Sequence, residues 1–414
     1  GDIIVGLTTD QEIINVKGYK PELDYDSRKE ILESIKYVLQ VVPTSWKINN
    51  SILEKYKIDY DLVTSSLEYC GVNDYVYENV KVKRIAGYFQ VAKYQGLLRS
   101  IVVWLNFPFE IYGSYKHIKG KIDQYEMLHT FGDSWAVGFY TWYFSYFNKP
   151  VMRELCNEIS TPYFPHPFRA LMRRLFTRDN MMMVAISPML ESFAKENAVN
   201  NVWQRPNPVD EDKFNLEIRS KKMVIRDQVS SFNDKDIVLT YVAMFWRNKN
   251  QLFLLRVLSK LSKKYKLVLA GPVTIQHTNY YNDVLVEIDR LNLGDRVHIV
   301  NKFIDNPQEY MAMADVYLFP SRHEGLGTPI LEAQACGVPI VMNELPGISD
   351  RWINVGKAGY VSRLDEDEWV KNIHKAILID SKILQENAKL ISKVAGSEII
   401  DKEYLKKFNE LCLV

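Results

Sequence analysis

Two glutamates flank a glycine-rich loop in the C-terminal part of the chain. Glu324 stands directly before the loop Gly325–Thr328, and Glu332 follows in the next apolar segment. The loop comes after an apolar run, residues 315–320, that indicates a buried strand, and before a segment typical of a short helix. Backbone N–H groups at a helix N-terminus attract anions, and glycine lets the backbone approach a phosphate closely. The pattern therefore predicts a phosphate-binding loop with a carboxylate on either side.

The ends of this helix are marked by residue type. We expect Thr328 to be its N-cap, Pro329 its first residue and Gly337 its left-handed stop. The helix is otherwise nearly all apolar, so Glu332 should be buried, and a buried carboxylate is costly unless it is hydrogen-bonded. The paired hydroxyls of a ribose would satisfy it. Alternatively, Glu332 only complements the helix dipole.

Two cations follow another predicted strand. Residues 236–243 form an apolar run, Arg247 and Lys249 lie in the loop after it, and residues 252–264 have the pattern of an amphipathic helix. Cations between a strand and the following helix suit a diphosphate. Because strands and helices alternate throughout this half, the sheet should be parallel and Rossmann-like, with ligands bound at its carboxyl edge. Gly271, after the next strand, falls on the same edge.

The stretch from Ser321 to Gly337 resembles the Glu-x7-Glu motif of retaining glycosyltransferases of family 4, which have the GT-B fold, and the resemblance covers roughly residues 120–410. It implies transfer of a sugar from a UDP- or GDP-linked donor to an acceptor hydroxyl, with no metal and no other cofactor. Where the family carries its arginine this chain has Met244, so Arg247 would act from a shifted position. By this resemblance, Glu324 and His129 would contact the donor sugar, and Lys249 and Arg247 would bind the diphosphate. The nucleotide would be bound by Glu332, Gly325, Leu326, Gly327, Thr328 and Gly271.

The acceptor side is expected in residues 81–207. His129 ends a predicted strand before a glycine turn, where the family has a histidine facing the donor sugar; a hydrogen-bonded structural histidine is the alternative. Residues 168–178 form a basic amphipathic pattern with Arg169, Arg173, Arg174 and Arg178. Such a helix could contact an anionic membrane or a lipid-diphosphate acceptor, or simply face solvent.

The first 80 residues resemble a cytidylyltransferase of the glycerol-3-phosphate type. The similarity lies in Gly1-Asp2, Thr9-Asp10, Lys17-Gly18 and the segment 25–38. The His-x-Gly-His motif that family carries upstream of its Gly-Asp pair is not in this sequence, so nucleotidyl transfer is not expected of it. Lys17 and Arg28 would be phosphate-side residues, or else solvated surface cations.

These patterns predict an α/β protein: a GT-B fold of two Rossmann-like domains facing across a cleft, preceded by a partial nucleotidyltransferase-like domain. The expected boundaries are a truncated cytidylyltransferase-like domain at 1–80, an acceptor-side domain at 81–207, a donor domain at 208–383, and helices returning to the acceptor domain at 384–414. A stiff Pro-rich linker at 205–210 marks the crossing between the two GT-B domains.

Composition limits the other classes of function. The chain has 414 residues, 47% of them hydrophobic, and a net charge of +1, so nucleic acid is not an expected partner. Its four cysteines lack metal-ligand spacing, and Cys336 should be a reduced core thiol. Neither a signal peptide nor a membrane span is visible, which favours the cytoplasm, with peripheral membrane contact at most.

The Asp-x-Asp triplets at 234–236 and 365–367 are explained by capping and surface placement. A cytidylyltransferase within a bifunctional parent and a non-catalytic nucleotide-sugar-binding module remain the alternatives.

Overall fold

A computed structural model describes most of the chain beyond residue 95 and shorter pieces before it. The described residues are 2–8, 59–66, 74–77, 80–86, 88–89, 94, 96–132, 134–155, 174–197, 199–230, 232–274, 277–354 and 356–412. They belong to two compact units, one of residues 1–207 with 400–414 and the other of residues 208–399.

The first unit is built on an eight-stranded sheet with the order β3-β4-β2-β1-β5-β6-β7-β8. All neighbouring strands are parallel except β3 and β4, which are antiparallel. The strands are β1 Asp2–Thr8, β2 Asp59–Ser66, β3 Tyr75–Tyr77, β4 Val80–Ala86, β5 Tyr125–Thr130, β6 Val151–Leu155, β7 Met181–Ala185 and β8 Val202–Gln204.

Helices α1 Gly96–Ile118, α2 Trp135–Tyr146 and α3 Pro188–Glu196 belong to the same unit. Strands β6 and β7 are buried along their whole length, as expected for central strands of a parallel sheet. Ser134 and Ser187 accept hydrogen bonds from the N3 backbone of α2 and α3, which explains where these helices begin.

The second unit contains a six-stranded, fully parallel sheet with the order β11-β10-β9-β12-β13-β14. Apolar strands such as β9 and β12 lie at its centre, where both faces are covered. The strands are β9 Ile237–Val242, β10 Tyr265–Ala270, β11 Val297–Val300, β12 Val316–Phe319, β13 Ile340–Asn343 and β14 Gly359–Ser362.

The helices of this unit alternate with its strands, as the sequence predicted. They are α4 Leu216–Ser220, α5 Lys222–Val229, α6 Gln251–Lys260, α7 Thr278–Arg290, α8 Pro307–Ala312, α9 Thr328–Ala335, α10 Ser349–Trp352, α11 Glu366–Ala376 and α12 Ser381–Ala395. The last helix, α13 Ser397–Cys412, starts in this unit and belongs to the first unit from Ile400 onward.

The division at residue 207 coincides with the predicted linker, whereas the predicted division at residue 80 is not observed. Strand β1 pairs with β2 on one side and with β5 on the other, so residues 2–8 and 59–66 are part of the same sheet as residues 125–130. A strand inside a sheet has a partner on each edge, and the second partner of β1 lies in the segment assigned to the acceptor side. Residues 384–414, which were expected to return to the acceptor domain, are shared between the units: α12 belongs to the second unit, and residues from Ile400 onward belong to the first.

Within the described ranges, no helix has both the length and the apolar character needed to cross a membrane.

Candidate active site

The candidate site lies at the carboxyl edge of the six-stranded sheet. Strands β9, β10, β12 and β13 run parallel, so the loops that follow them meet at one edge. The loop after β9 carries Arg247 and Lys249, and the loop after β12 carries Glu324 and the glycines. These two strands are direct neighbours in the sheet. Adjacent strands therefore supply the cations and the carboxylate.

Asn248 joins the two loops through three hydrogen bonds. Its backbone carbonyl accepts from the Arg322 N–H at 2.9 Å. Its side-chain Oδ1 accepts from the His323 N–H at 3.1 Å, and its Nδ2 donates to the His323 carbonyl at 2.8 Å. Sequence reasoning missed this residue, although an asparagine between two cations after a strand is a usable signal. The contact holds the turn Arg247–Lys249 in register with the residues before Glu324.

Lys249 and Glu324 form an ion pair across this junction. Lys249 Nζ lies 2.5 Å from Glu324 Oε1, and the two side chains are 21% and 14% exposed. The residues are 75 positions apart in sequence, so only the sheet brings them together. The contact puts a cation and a carboxylate beside the glycine loop, with solvent still reaching both.

The glycine loop enters α9 differently from the prediction. Gly327, with φ of +74°, occupies the N-cap position, and Thr328 is the first helical residue rather than the cap. The Gly327 carbonyl accepts from the Ile330 N–H at 2.9 Å, and a Cβ at Gly327 would lie 2.8 Å from Ile330 Cδ1. Glycine is therefore required for this tight entry, since a left-handed backbone and a close side chain both oppose a larger residue.

The remaining features of α9 agree with the sequence. Pro329 lies in its first turn, and Gly337 has φ of +69° just past its end. Every residue of the helix except Pro329 is buried, and Leu326 before it is 2% exposed. Glu332 is 4% exposed, so the predicted buried carboxylate is present.

The carboxylates of Glu324 and Glu332 affect the pKa values of two buried tyrosines. Burial, and after it the neighbouring Glu332 and Glu324 carboxylates, raises the pKa of Tyr317. Burial, then Glu324, raises the pKa of Tyr241 well above its ordinary value. Both hydroxyls therefore stay protonated: Tyr317 donates to the Val242 carbonyl, and Tyr241 lies 2.9 Å from Ser321 Oγ. Tyr241 thus contacts the segment between β12 and Glu324 through Ser321.

Cys336, at the end of α9, is a free and buried thiol, as predicted. Burial, followed by the charge of Glu332, raises its pKa to about 12. The thiol is therefore a packing residue.

Gly271 is required by the backbone around it. Its φ is +152°, and a Cβ there would lie 2.2 Å from the carbonyl oxygen of Ala243, the residue just after β9. The close approach of two strand ends accounts for the glycine, and its predicted contact with a nucleotide stays a prediction.

Arg247 does not take part in the ion pair between Lys249 and Glu324. Its side chain is 81% exposed, and its guanidinium lies 3.8 Å from the Asp283 carboxylate on α7. The two predicted diphosphate cations thus differ, since one is half-buried against Glu324 and the other is largely in solvent.

His129 lies in a sealed network of the first unit. It is 1% exposed in β5, and its Nε2 is 2.9 Å from Glu154 Oε1. The Glu154 carboxylate also accepts from Tyr404 at 2.5 Å and from Arg205 at 2.9 Å. Phe131 and Phe408 pack on the imidazole, with ring centroids at 4.7 and 5.5 Å. His129 is therefore a hydrogen-bonded structural histidine in this structure, because the residues named above cover its imidazole and separate it from solvent.

Several predicted positions lie outside the described residues, namely Lys17, Arg28, Arg169 and Arg173. Asp365 caps α11 by accepting from the Glu368 N–H at 2.8 Å, as predicted for that Asp-x-Asp triplet. In the described part of the chain, no cluster of three or more His, Cys, Asp or Glu side chains could hold a metal ion.

Comparison with known proteins points to one class of enzyme. Residues 236–378 match the family model described as glycosyl transferases group 1. WclY of Escherichia coli, an O-antigen biosynthesis glycosyltransferase, is 35% identical over 92 residues, which are 22% of this chain and 24% of the relative. CapM of Staphylococcus aureus, a capsular polysaccharide biosynthesis glycosyltransferase, is 24% identical over 55% of this chain and 61% of its own. A Campylobacter jejuni relative, N-acetylgalactosamine-N,N'-diacetylbacillosaminyl-diphospho-undecaprenol 4-alpha-N-acetylgalactosaminyltransferase, is 26% identical over 36% of this chain and 39% of its own. The chain thus spans less than two thirds of the length of each of these relatives.

Solved structures with a similar fold extend over almost the whole chain. Anabaena HepE, solved with UDP and glucose, has a TM-score of 0.68 at 15% identity and covers 98% of this chain and 99% of its own. Sucrose-phosphate synthase of Thermosynechococcus elongatus has a TM-score of 0.70 at 16% identity and covers 99% and 98%. At these identities the similarity concerns the fold, which is the predicted α/β GT-B fold.

Proposed function

We propose that this chain is a retaining glycosyltransferase that moves a sugar from a nucleotide diphosphate sugar to an acceptor hydroxyl. The observation that carries the proposal is the contact of Lys249 with Glu324 at 2.5 Å, directly before the Gly325–Thr328 loop. The match of residues 236–378 to group 1 glycosyl transferases supports it, because all of these groups fall inside the matched segment.

The leaving diphosphate would bind at Lys249 and at the backbone N–H groups of Gly325–Thr328. Negative charge grows on the diphosphate as the glycosidic bond breaks, and positive charge grows on the sugar ring. Preorganised donors aimed at such growing charge are usually the largest single catalytic effect. An ammonium has three N–H donors, so Lys249 can meet a phosphate while it keeps its contact with Glu324. The proposed reaction therefore needs no metal.

The two glutamates would have different tasks. Glu324, which is partly exposed, would accept hydrogen bonds from sugar hydroxyls beside the reacting carbon. Glu332 is buried in the first turns of α9, and its carboxylate would accept hydrogen bonds from the ribose hydroxyls. The base of the donor is proposed to be uracil, because a structural neighbour was solved with UDP and glucose.

The acceptor is proposed to be a glycan or a lipid-linked saccharide in cell-surface polysaccharide synthesis. Two relatives are named for O-antigen and capsular polysaccharide biosynthesis, and a third for a diphospho-undecaprenol acceptor. A cytoplasmic location is proposed with it, in keeping with the free thiol of Cys336.

The test is an assay of nucleotide diphosphate release by the full chain with UDP-, GDP- and TDP-sugars, with and without diphospho-lipid acceptors. We expect release from a UDP-sugar, undiminished by a chelator, and a product whose anomeric configuration by NMR matches the donor. Binding of UDP-sugars without any transfer or hydrolysis would instead indicate a binding module. Release of pyrophosphate from CTP would support the nucleotidyltransferase alternative.

A further inference from the structure

Helix α1 presents an apolar face to solvent. This aromatic face consists of Leu97, Ile101, Trp104, Leu105, Tyr112 and Tyr115, all of them exposed. Leu97 is 78% exposed and Tyr112 is 66% exposed. Their spacing keeps them on one side of the helix over about 27 Å, at 1.5 Å per residue. A surface helix of a soluble domain normally turns such a stripe toward the core.

The opposite side of α1 carries three polar residues and faces the protein. Asn106, Glu110 and Ser114 follow one another at helical spacing, and each is 0% exposed. Asn106 exchanges two hydrogen bonds of 2.8 Å with the Phe89 backbone, and Glu110 accepts from the Ala136 N–H at 3.3 Å. These bonds fix the rotation of the helix, so its apolar residues cannot turn inward without breaking them.

Aromatic residues next to the helix widen this surface. Tyr88, 63% exposed, stacks on Phe109 of α1 with ring centroids 5.1 Å apart. At the end of α2, Tyr146 and Phe147 are 70% and 43% exposed. Contiguous apolar patches of this extent are rare on monomeric soluble proteins and mark interaction surfaces.

The charges along this surface are of one sign. Between residues 100 and 121 the exposed ionic side chains are Lys116, Lys119 and Lys121, because the only carboxylate of that stretch, Glu110, is buried. Lys119 Nζ lies 5.5 Å from the Tyr115 ring centroid, which joins the basic end to the aromatic face. The next exposed acid along the chain is Asp123. Aromatic rings with polar tips beside lysines are the chemistry of a protein that lies in an anionic lipid interface.

We propose that the aromatic face of α1 docks on the surface of an anionic lipid bilayer, with the helix parallel to the membrane plane and Lys116 and Lys119 at the headgroups. The residues of this face are not those of the basic sequence segment 168–178, and the proposal does not depend on glycosyl transfer. If the acceptor is lipid-linked, the same contact would hold the enzyme where its acceptor is.

The experiment is co-sedimentation of the full chain with vesicles of phosphatidylcholine containing phosphatidylglycerol. The combined variant Ile101→Ser, Leu105→Ser, Tyr112→Ser should lower the bound fraction about tenfold or more, because apolar area no longer enters the interface. The matched control, Leu285→Ser, Val286→Ser, Leu378→Ser, removes exposed apolar residues of the second unit and should bind like the wild type.

Charge and fluorescence provide readouts that do not depend on the triple variant folding. Lys116→Gln with Lys119→Gln should lower binding to anionic vesicles about tenfold, and salt should do the same to the wild type. Vesicles should shift the tryptophan emission of the wild type to the blue. Trp104→Phe should reduce that shift while binding persists.

Three results would overturn the proposal. The wild type could stay in the supernatant at low salt, or the triple variant, shown to be folded by its thermal transition, could bind like the wild type. Sedimentation equilibrium could also reveal a wild-type dimer that the triple variant abolishes while neither protein binds vesicles; the occupant of the face would then be a second copy.

Discussion

Each of the two sheets holds a glutamate against a cation, and the two contacts differ in their access to water. Glu154 Oε2 lies 2.9 Å from Arg205 Nη2, with both side chains fully buried. Glu324 Oε1 lies 2.5 Å from Lys249 Nζ, with both side chains partly exposed. A sealed pair can only support the packing around it, whereas a pair at the carboxyl edge of a sheet can meet a ligand.

The hydrogen-bond donors of the two pairs also indicate that only the Lys249–Glu324 pair can bind a ligand. Glu154 is surrounded by Arg205, Tyr404 and His129, so its oxygens are taken up inside the protein. Lys249 has donors to spare beyond Glu324. A cation beside a carboxylate therefore indicates a binding site only where solvent can reach the pair.

Glu154→Ala should destabilise the protein by about 3 to 5 kcal/mol, because it leaves Arg205 charged, buried and without its carboxylate. Urea unfolding at neutral pH measures the loss. Glu154→Gln, which keeps the shape and one acceptor, should cost less. A loss below about 1 kcal/mol for the alanine variant would mean that water reaches this network.

Lys249→Ala should lower kcat about 100- to 1000-fold, as the loss of one preorganised donor does. Its stability should change by no more than about 1 kcal/mol, because the pair is partly exposed. Initial rates of nucleotide diphosphate release and a urea curve measure the two effects. Unchanged turnover would contradict the assignment of the diphosphate to Lys249.

Glu332→Gln should weaken UDP binding about 10- to 100-fold, the value of a hydrogen bond to a charged group, with a smaller effect on kcat. Isothermal titration with UDP provides the affinity. Titration with uracil alone is the control, since it lacks the ribose and should bind both proteins equally. Equal UDP affinity in the two proteins would leave Glu332 as a dipole-complementing residue.

Glu110 extends the comparison to a buried glutamate held by a backbone N–H instead of a cation. Burial raises its pKa to about 8 from an ordinary 4.5. Its contribution to stability is therefore present below pH 4.5 and is lost as the pH rises through 8. Glu110→Gln should remove at least about 1 kcal/mol of that decline, the value of one pKa unit. Unfolding curves at pH 5 and about pH 8.5 test it, and an identical decline in both proteins would refute it.

Arg247→Ala should have the smallest effect, at most about threefold on kcat/KM, because its exposed pair with Asp283 contributes about 0 to 1 kcal/mol. It serves as the matched control for Lys249→Ala, two positions away. A loss as large as that of Lys249→Ala would show that Arg247 leaves Asp283 for the diphosphate when the donor binds.

Much of the fold was predictable from local pattern. Apolar runs marked β9, β10, β12 and β13, and Pro329 and Gly337 marked the two ends of α9. The N-cap of α9 is Gly327 and not the predicted Thr328, because the turn needs a left-handed backbone. The preference of N-cap positions for certain residue types does not reveal that requirement. Strand β1 takes partners from both sides of residue 80, where a domain boundary was predicted, and local pattern does not reveal such pairing.

Local sequence pattern was enough to predict the alternation of strands and helices in residues 236–378 and the position of Lys249, Glu324 and the glycine loop after its strands. Both are local, since periodicity and turn chemistry act over a few residues. The tertiary structure decided which charged residues meet: it joined Lys249 to Glu324 through Asn248, left Arg247 in solvent and sealed His129 against Glu154. It also turned the polar side of α1 inward. Such outcomes depend on contacts between distant segments, and a linear pattern carries no record of them.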